Sequence, residues 1–290
     1  MGSIIDCIGN TPLAEIQKLN PNPDVRIFAK LEGNNPGGSV KDRAALNMIR
    51  SAMERGDIQR GTKLIEATSG NTGIALAMIA GIYGLEIELV MPSNSTRERT
   101  LTMEAFGAKV TLLDSIEICR DYAEDKGNQG GYFLLDQFAN PDNYLAHYKT
   151  TGPEIWRDTK HEITHFVSSM GTTGSIMGNS MFLKEQNPDI QIVGCQPTEE
   201  SSIPGIRRWP EAYLPKIFDA SRVDRVMDVS QEEASVCARQ MARLEGIFAG
   251  MSSGGALSCA LKLASELTSG TIVFIACDRG DRYLSSDLFL

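Results

Sequence analysis

The chain has 290 residues, 42% of them apolar and 22% charged, which suffices for a large buried core in one domain or in two that share an interface. A formal net charge of −9 leaves no basic surplus to neutralise phosphates, so nucleic acid and anionic membrane surfaces are not expected partners. The sequence holds no run of about 18 apolar residues, and Met1-Gly2-Ser3-Ile4-Ile5-Asp6 lacks the basic start and apolar stretch of a secretory signal, so the cytoplasm is the expected location.

Residues 11–34 read as two short strands joined by the turn-rich Asn20-Pro21-Asn22-Pro23-Asp24, Arg26 to Glu32 being the clearer one. A Gly/Pro loop, Asn34 to Gly38, then runs into a helix whose inner face is Ala45, Met48, Ile49 and Ala52, with Gly56 as its stop. Ser39 is the expected N-cap, since Ser39-x-x-Asp42 fits a capping box. Lys41 then falls in the first helical turn, where the dipole disfavours a cation; burial by the loop would lower its pKa further, toward a free nucleophilic amine. The ordinary alternative is a solvated lysine in a helix that happens to follow a loop.

Beyond Gly56 the pattern alternates: strands at Lys63–Ala67, Ile87–Met91, Lys109–Leu113 and Tyr132–Asp136, with helices at Asn71–Tyr83, Ser95–Phe106 and Ile116–Lys126 between them. Asn140-Pro141-Asp142-Asn143 reads as punctuation. A second series follows, with a helix around Gly152 to Thr159, strands at His165–Ser169, Gln191–Cys195, Arg225–Val229 and Thr271–Cys277, and helices at Gln231–Leu244 and Gly254–Leu267. Repeated βα structure predicts an α/β fold of two open, mainly parallel-sheet lobes with a cleft between them. The expected division is a smaller lobe, residues 35–142, and a larger one made of 1–34 and 143–290.

Three Gly/Ser/Thr-rich loops sit where ligands bind such sheets, at strand carboxyl ends. Thr68-Ser69-Gly70-Asn71-Thr72-Gly73 opens a helix and suits a carboxylate, because a helix start offers unpaired N–H groups to an anion. Gly171-Thr172-Thr173-Gly174-Ser175 suits a phosphate for the same reason, its glycines permitting close backbone approach. Ser252-Ser253-Gly254-Gly255 precedes the next helix. Each of these also fits a plain helix cap. GxxxxGK[ST] is absent, as is GxGxxG followed by a ribose-binding acid. The six scattered cysteines, with no CxxC, fit free thiols. His161-Glu162-Ile163-Thr164-His165 matches H-E-x-x-H, but Thr164 to Met170 reads as a strand rather than the single helix a zinc site needs, so no metal is expected.

These segments together resemble the fold-type II pyridoxal-phosphate enzymes (tryptophan synthase β-like), and within them the cysteine synthases, B type. The resemblance runs from Ile8-Gly9-Asn10-Thr11-Pro12-Leu13 through Lys41, the 68–73 loop, Thr151-Gly152-Pro153-Glu154-Ile155-Trp156 and Gly171–Ser175 to Asp281-Arg282-Tyr283-Leu284-Ser285. It implies that Lys41 carries the Schiff base with pyridoxal 5'-phosphate and serves as catalytic base. Asn71 then holds the cofactor's 3′ oxygen, Gly171, Thr172, Thr173, Gly174 and Ser175 cradle its phosphate, and Ser252 faces its pyridine nitrogen. Thr68, Ser69, Gly70, Thr72 and Gln137 look like the substrate-carboxylate set. Arg207, in Arg207-Arg208-Trp209, resembles the B-type entrance segment associated with thiosulfate or larger sulfur donors; a solvated surface cluster is its plain alternative. Ser175 stands where threonine is usual, and the chain stops at Leu290, before a tail common in the family.

The implied activity is β-replacement giving L-cysteine from O-acetyl-L-serine and sulfide, or S-sulfocysteine from thiosulfate, in a homodimer. Alternatives are a cysteine β-lyase, lanthionine- or cystathionine-forming enzyme of the same family, or a non-catalytic module that binds a serine acetyltransferase tail.

Overall fold

The structure, a computed structural model, describes residues 2–290. Two sheets organise it. In chain order the strands are β1 (Leu13–Ile16), β2 (Val25–Leu31), β3 (Lys63–Ala67), β4 (Glu86–Pro92), β5 (Lys109–Leu113), β6 (Phe133–Leu134), β7 (His165–Ser169), β8 (Gln191–Pro197), β9 (Arg225–Val229) and β10 (Gly270–Ala276). The helices are α1 (Lys41–Arg55), α2 (Asn71–Tyr83), α3 (Arg97–Ala105), α4 (Ile116–Asn128), α5 (Pro141–Lys149), α6 (Thr151–Asp158), α7 (Gly174–Gln186), α8 (Gln231–Glu245) and α9 (Met251–Glu266).

The smaller sheet has the order β5-β4-β3-β6, all parallel. The larger is β1-β2-β10-β7-β8-β9, parallel except for the β1–β2 pair. Strands covered on both faces read as near-continuous apolar runs, and β4 and β10 are each buried at all but their first residue. Side-chain alternation divides the larger lobe's core. Ile272 and Phe274 of β10 enter one cluster with α8 and α9, whereas Val273 and Ile275 enter another with α6 and α7. A separate cluster joins α1 and α2 to β3 and β4. Among the described residues no helix is long and apolar enough to cross a membrane.

Three local expectations are corrected. Ser39 does not stand at the N-cap of α1: the helix starts at Lys41 after Val40, the Ser39 hydroxyl accepts from Lys41 N–H at 3.2 Å, and the Asp42 carboxylate accepts from the Gly37 N–H instead of Ser39. The cause is tertiary, because Ser39 is bridged to Asp278 and Val40 N–H donates to the Cys277 carbonyl, which ties this backbone to the end of β10. Asn140-Pro141-Asp142-Asn143 is a helix start rather than a break. Asn140 accepts from Asp142 N–H at 2.9 Å with Pro141 in the first turn, and the resulting α5 packs against α1 and α7. Finally, Ser252 to Gly255 lie inside the first turns of α9, not ahead of it.

His161 follows α6 with a φ of 70° and stacks on Trp156, whereas His165 begins β7, so the two histidines of H-E-x-x-H share no helix. All six cysteines are free; Cys7 is exposed and Cys119, Cys195, Cys237 and Cys259 are buried.

Candidate functional site

The loops after β3, β7 and β10 converge with the start of α1 on one cleft. Its wall includes Lys41, Ser69, Gly70, Asn71, Thr72, Gln137, Gly171, Thr172, Ser175, Arg207 and Ser252. Thr68, Thr173 and Gly174 stand just behind that wall. Thr68 turns its hydroxyl inward to accept from Gly70 N–H and Gly73 N–H, both at 3.1 Å, and so braces the loop.

Lys41 is half-buried and, among the described residues, makes no ion pair and no side-chain hydrogen bond. Burial lowers its pKa, and the nearby Cys277, Asp278 and Glu32 only partly oppose that shift. A neutral amine is therefore within closer reach than for a solvated lysine.

Facing it, the 171–175 segment is built for close backbone approach. A side chain at Gly171 would lie 2.6 Å from the Gly205 carbonyl oxygen, and one at Gly174 would collide with Asn143. Thr173 adopts a left-handed φ of 69° just before α7, and its buried Oγ1 has no hydrogen-bond partner among the described residues. Thr172 Oγ1 accepts from Asn143 Nδ2 at 3.2 Å, which leaves its own proton for a ligand. Ser175 Oγ lies 3.2 Å from Nε2 of buried His147, whose Nδ1 is 2.9 Å from Thr151 Oγ1. Burial, then the Arg43 and Lys41 charges, push His147 down to about 3, so its imidazole is neutral.

On the opposite side Thr72 donates to Gln137 Oε1 at 2.8 Å and Gln137 Nε2 donates to the Ala67 carbonyl at 2.7 Å. Ser252 is buried in the first turn of α9, with its carbonyl accepting from the Ser169 hydroxyl at 2.8 Å. The basic-aromatic triplet splits. Arg207 and Trp209 face the cleft, Trp209 Nε1 donating to the Gly171 carbonyl at 2.7 Å, while Arg208 turns outward to Asp228 at 2.7 Å. Burial lowers the Arg207 pKa, with the Arg99 charge adding to it.

Sequence reasoning gave no role in the site to Arg99, Cys277 or Tyr283, which also line the wall. Arg99 sits in Arg97-Glu98-Arg99, which reads as an exposed helical turn, yet it is buried, donates to the Ser69 carbonyl at 3.2 Å and lies over the Tyr283 ring. Burial pushes the Cys277 thiol up to about 11, so it stays protonated. The wall thus carries Lys41, Arg99 and Arg207 and, among the described residues, no carboxylate, an arrangement that favours anionic ligands.

Residues 4–278 match the model of a family described as pyridoxal-phosphate dependent enzyme. The chain is 59% identical over 290 residues to cysteine synthase B of Pseudomonas aeruginosa, covering 99% of this chain and 97% of that one. Among solved structures, cysteine synthase (OASS) of Entamoeba histolytica superposes with a TM-score of 0.92 at 36% identity, covering 100% of this chain and 90% of that one. O-ureido-L-serine synthase superposes with a TM-score of 0.94 at 33% identity, covering 100% and 95%.

Proposed function

Because the chain belongs to the cysteine synthase family of pyridoxal-phosphate-dependent enzymes, we propose that it makes L-cysteine from O-acetyl-L-serine and sulfide, with thiosulfate as a second sulfur donor. One observation carries the reading: a desolvated lysine without a partner faces a phosphate-type loop across a cleft rich in cations.

The residues present fit the cofactor. Thr173 Oγ1 is buried without a partner in this structure, and Gly171 and Gly174 leave no room for side chains where a phosphate needs backbone N–H groups. Gly171 to Ser175 would hold the phosphate at the start of α7, Lys41 Nζ the aldehyde carbon, Asn71 the ring hydroxyl oxygen and Ser252 the ring nitrogen. Bound there, pyridoxal phosphate supplies an electron sink that loosens the Cα proton and the Cβ substituent of an amino acid.

The chain's own residues do the rest. Ser69, Gly70, Thr72 and Gln137 hold the substrate carboxylate, while Thr68 keeps their loop in shape. Lys41 Nζ, with its lowered pKa, takes the proton from the substrate Cα and later returns it. Ser252, a neutral hydroxyl, does not force a proton onto the ring nitrogen, which keeps the sink weak and favours β-replacement over transamination. Arg207 draws a dianionic donor toward the substrate Cβ. The 68–73 loop shields the reacting atoms from water.

A homodimer and the lobe division 35–142 against 1–34 with 143–290 belong to the same proposal; the separate cores of the two sheets support the division. The test mixes purified, cofactor-loaded protein with O-acetylserine, then sulfide. A visible band that shifts on the first addition and reverts on the second, with cysteine formed, is the expected result. Lys41→Ala should abolish the band and the product together. A wild-type band indifferent to O-acetylserine, or turnover by the alanine variant, overturns the reading.

A further inference from the structure

The segment Asp281 to Ser285 has no role in the chemistry above, yet it reaches the site. Arg282 Nη1 donates to Asn71 Oδ1 at 2.5 Å, and its Nη2 donates to the Gly37 carbonyl in the loop ahead of Lys41. On the other side of the same amide, Asn71 Nδ2 donates to Asp278 Oδ2 at 2.7 Å. The amide expected to meet the cofactor is therefore engaged at both ends by the chain itself.

Donor chemistry decides its orientation. A guanidinium can only donate, so it must meet the amide oxygen, and an ionised carboxylate can only accept, so it must meet the amide nitrogen. A flipped Asn71 would set NH₂ against Arg282 and C=O against Asp278, breaking both bonds at once. With Oδ1 on Arg282 and one amide hydrogen on Asp278, one N–H of Asn71 remains uncommitted on a residue that lines the cleft. Asp278 is itself held for this task. It is buried, its Oδ2 also accepts from Tyr283 Oη at 2.7 Å, and its Oδ1 packs so close to Gly250 that a side chain there would come within 2.4 Å.

We propose that Arg282 and Asp278 are positioning residues that lock the Asn71 amide with a free N–H toward the ring oxygen of the cofactor. The inference rests on the proposed pyridoxal-phosphate reading. Without Arg282 the amide is held by Asp278 alone, so the flipped orientation, in which its carbonyl opposes an anionic ring oxygen, costs less.

The experiment compares wild type, Arg282→Met, Arg282→Lys, Asn71→Ala and the Arg282→Met/Asn71→Ala double variant. Each is stripped of cofactor, checked for folding by circular dichroism and titrated with pyridoxal phosphate, following the position and pH response of the visible band. Arg282→Met should bind about five- to tenfold more weakly, as expected for one hydrogen bond, with a displaced band; Arg282→Lys should restore part of both. In the Asn71→Ala background Arg282→Met should leave the band where Asn71→Ala put it. A folded Arg282→Met with the wild-type band, or additive band shifts in the double variant, overturns the proposal. A wild-type protein that forms no visible band overturns the cofactor reading instead, which separates the two failures.

Discussion

Two residues beyond Lys41, Arg43 makes a buried ion-pair centre with five side-chain hydrogen bonds, and its loss should be costly. Its Nε and Nη2 donate to Glu32 at 2.8 Å each, its Nη1 and Nη2 donate to Glu154 at 2.7 Å each, and Nη2 also reaches Thr11 Oγ1 at 3.2 Å. The side chains of Arg43 and Glu32 are 1% and 0% exposed, so the Glu32 carboxylate cannot turn to water if the guanidinium goes. Burial alone would raise both acids; the Arg43 charge and hydrogen bonds outweigh it, lowering Glu32 and holding Glu154 down at about 2. In Arg43→Met only Lys30, 2.8 Å from Glu154, stays as counter-charge, and Glu32 loses its paired charge and keeps the Thr11 and Asn35 hydrogen bonds and the weaker field of Lys30. Removing one partner from such a buried pair costs about 3–5 kcal/mol. With an unfolding entropy of about 0.6 kcal/mol/K for a chain of 290 residues, that lowers the melting temperature by about 5–8 °C. Melting of the cofactor-free protein followed by circular dichroism measures it, and adding Glu32→Gln to Arg43→Met should recover part of the loss. A drop under about 2 °C, or a second substitution that only adds to the damage, would refute the reasoning. The sign with pH follows from Glu154: its folded pKa is depressed, so the stability it contributes is complete above the ordinary carboxylate value and vanishes as pH falls toward about 2.

His147 should give a slope of the same sign from the opposite cause. Its folded pKa of about 3 lies below the usual histidine value, so as pH drops through that interval the unfolded chain takes a proton the folded one refuses. His147→Gln should flatten the dependence of stability on pH there by up to about 1.4 kcal/mol per pH unit, measured by urea melts at a series of pH values. Gly178→Ala would place a Cβ 2.0 Å from the Tyr144 carbonyl oxygen, a backbone atom that cannot swing away. It should cost about 1–3 kcal/mol or more in thermal melts, since α5 and α7 must part. Arg207→Ala should reduce kcat/KM for thiosulfate by about 10- to 100-fold while sparing sulfide, because only the dianion needs its charge. Arg208→Ala, on an exposed ion pair with Asp228, should change either donor and the stability by about 1 kcal/mol at most.

Wherever apolar periodicity and an end signal coincide, local sequence carried the fold. Lys63–Ala67, Asn71–Tyr83, Lys109–Leu113, His165–Ser169 and Arg225–Val229 are read with the bounds they have in the structure. Exposed Lys63 precedes a run that is apolar apart from Glu66, and Tyr83 is followed by Gly84 in the left-handed conformation, so both ends are marked by residue chemistry. Asn140-Pro141 misled because the same dipeptide serves a turn and a helix start; choosing between them takes the packing of α5 against α1 and α7. The cap of α1 was misread because Ser39 and Val40 are already paired with Cys277 and Asp278, more than 200 residues away.

The glycine loops and Lys41 were legible because backbone N–H groups, left-handed turns and a first-turn lysine leave marks in the residue types themselves. Arg99, Cys277, Tyr283 and the grip of Arg282 and Asp278 on Asn71 left none. Each is an ordinary residue in its own segment, and it acquires a place in the cleft only when the end of β10 closes against α1, α2 and α3. Local propensity acts over a few residues and is written along the chain; which distant side chains share one low-dielectric cleft depends on how the two sheets pack, and that is decided in three dimensions.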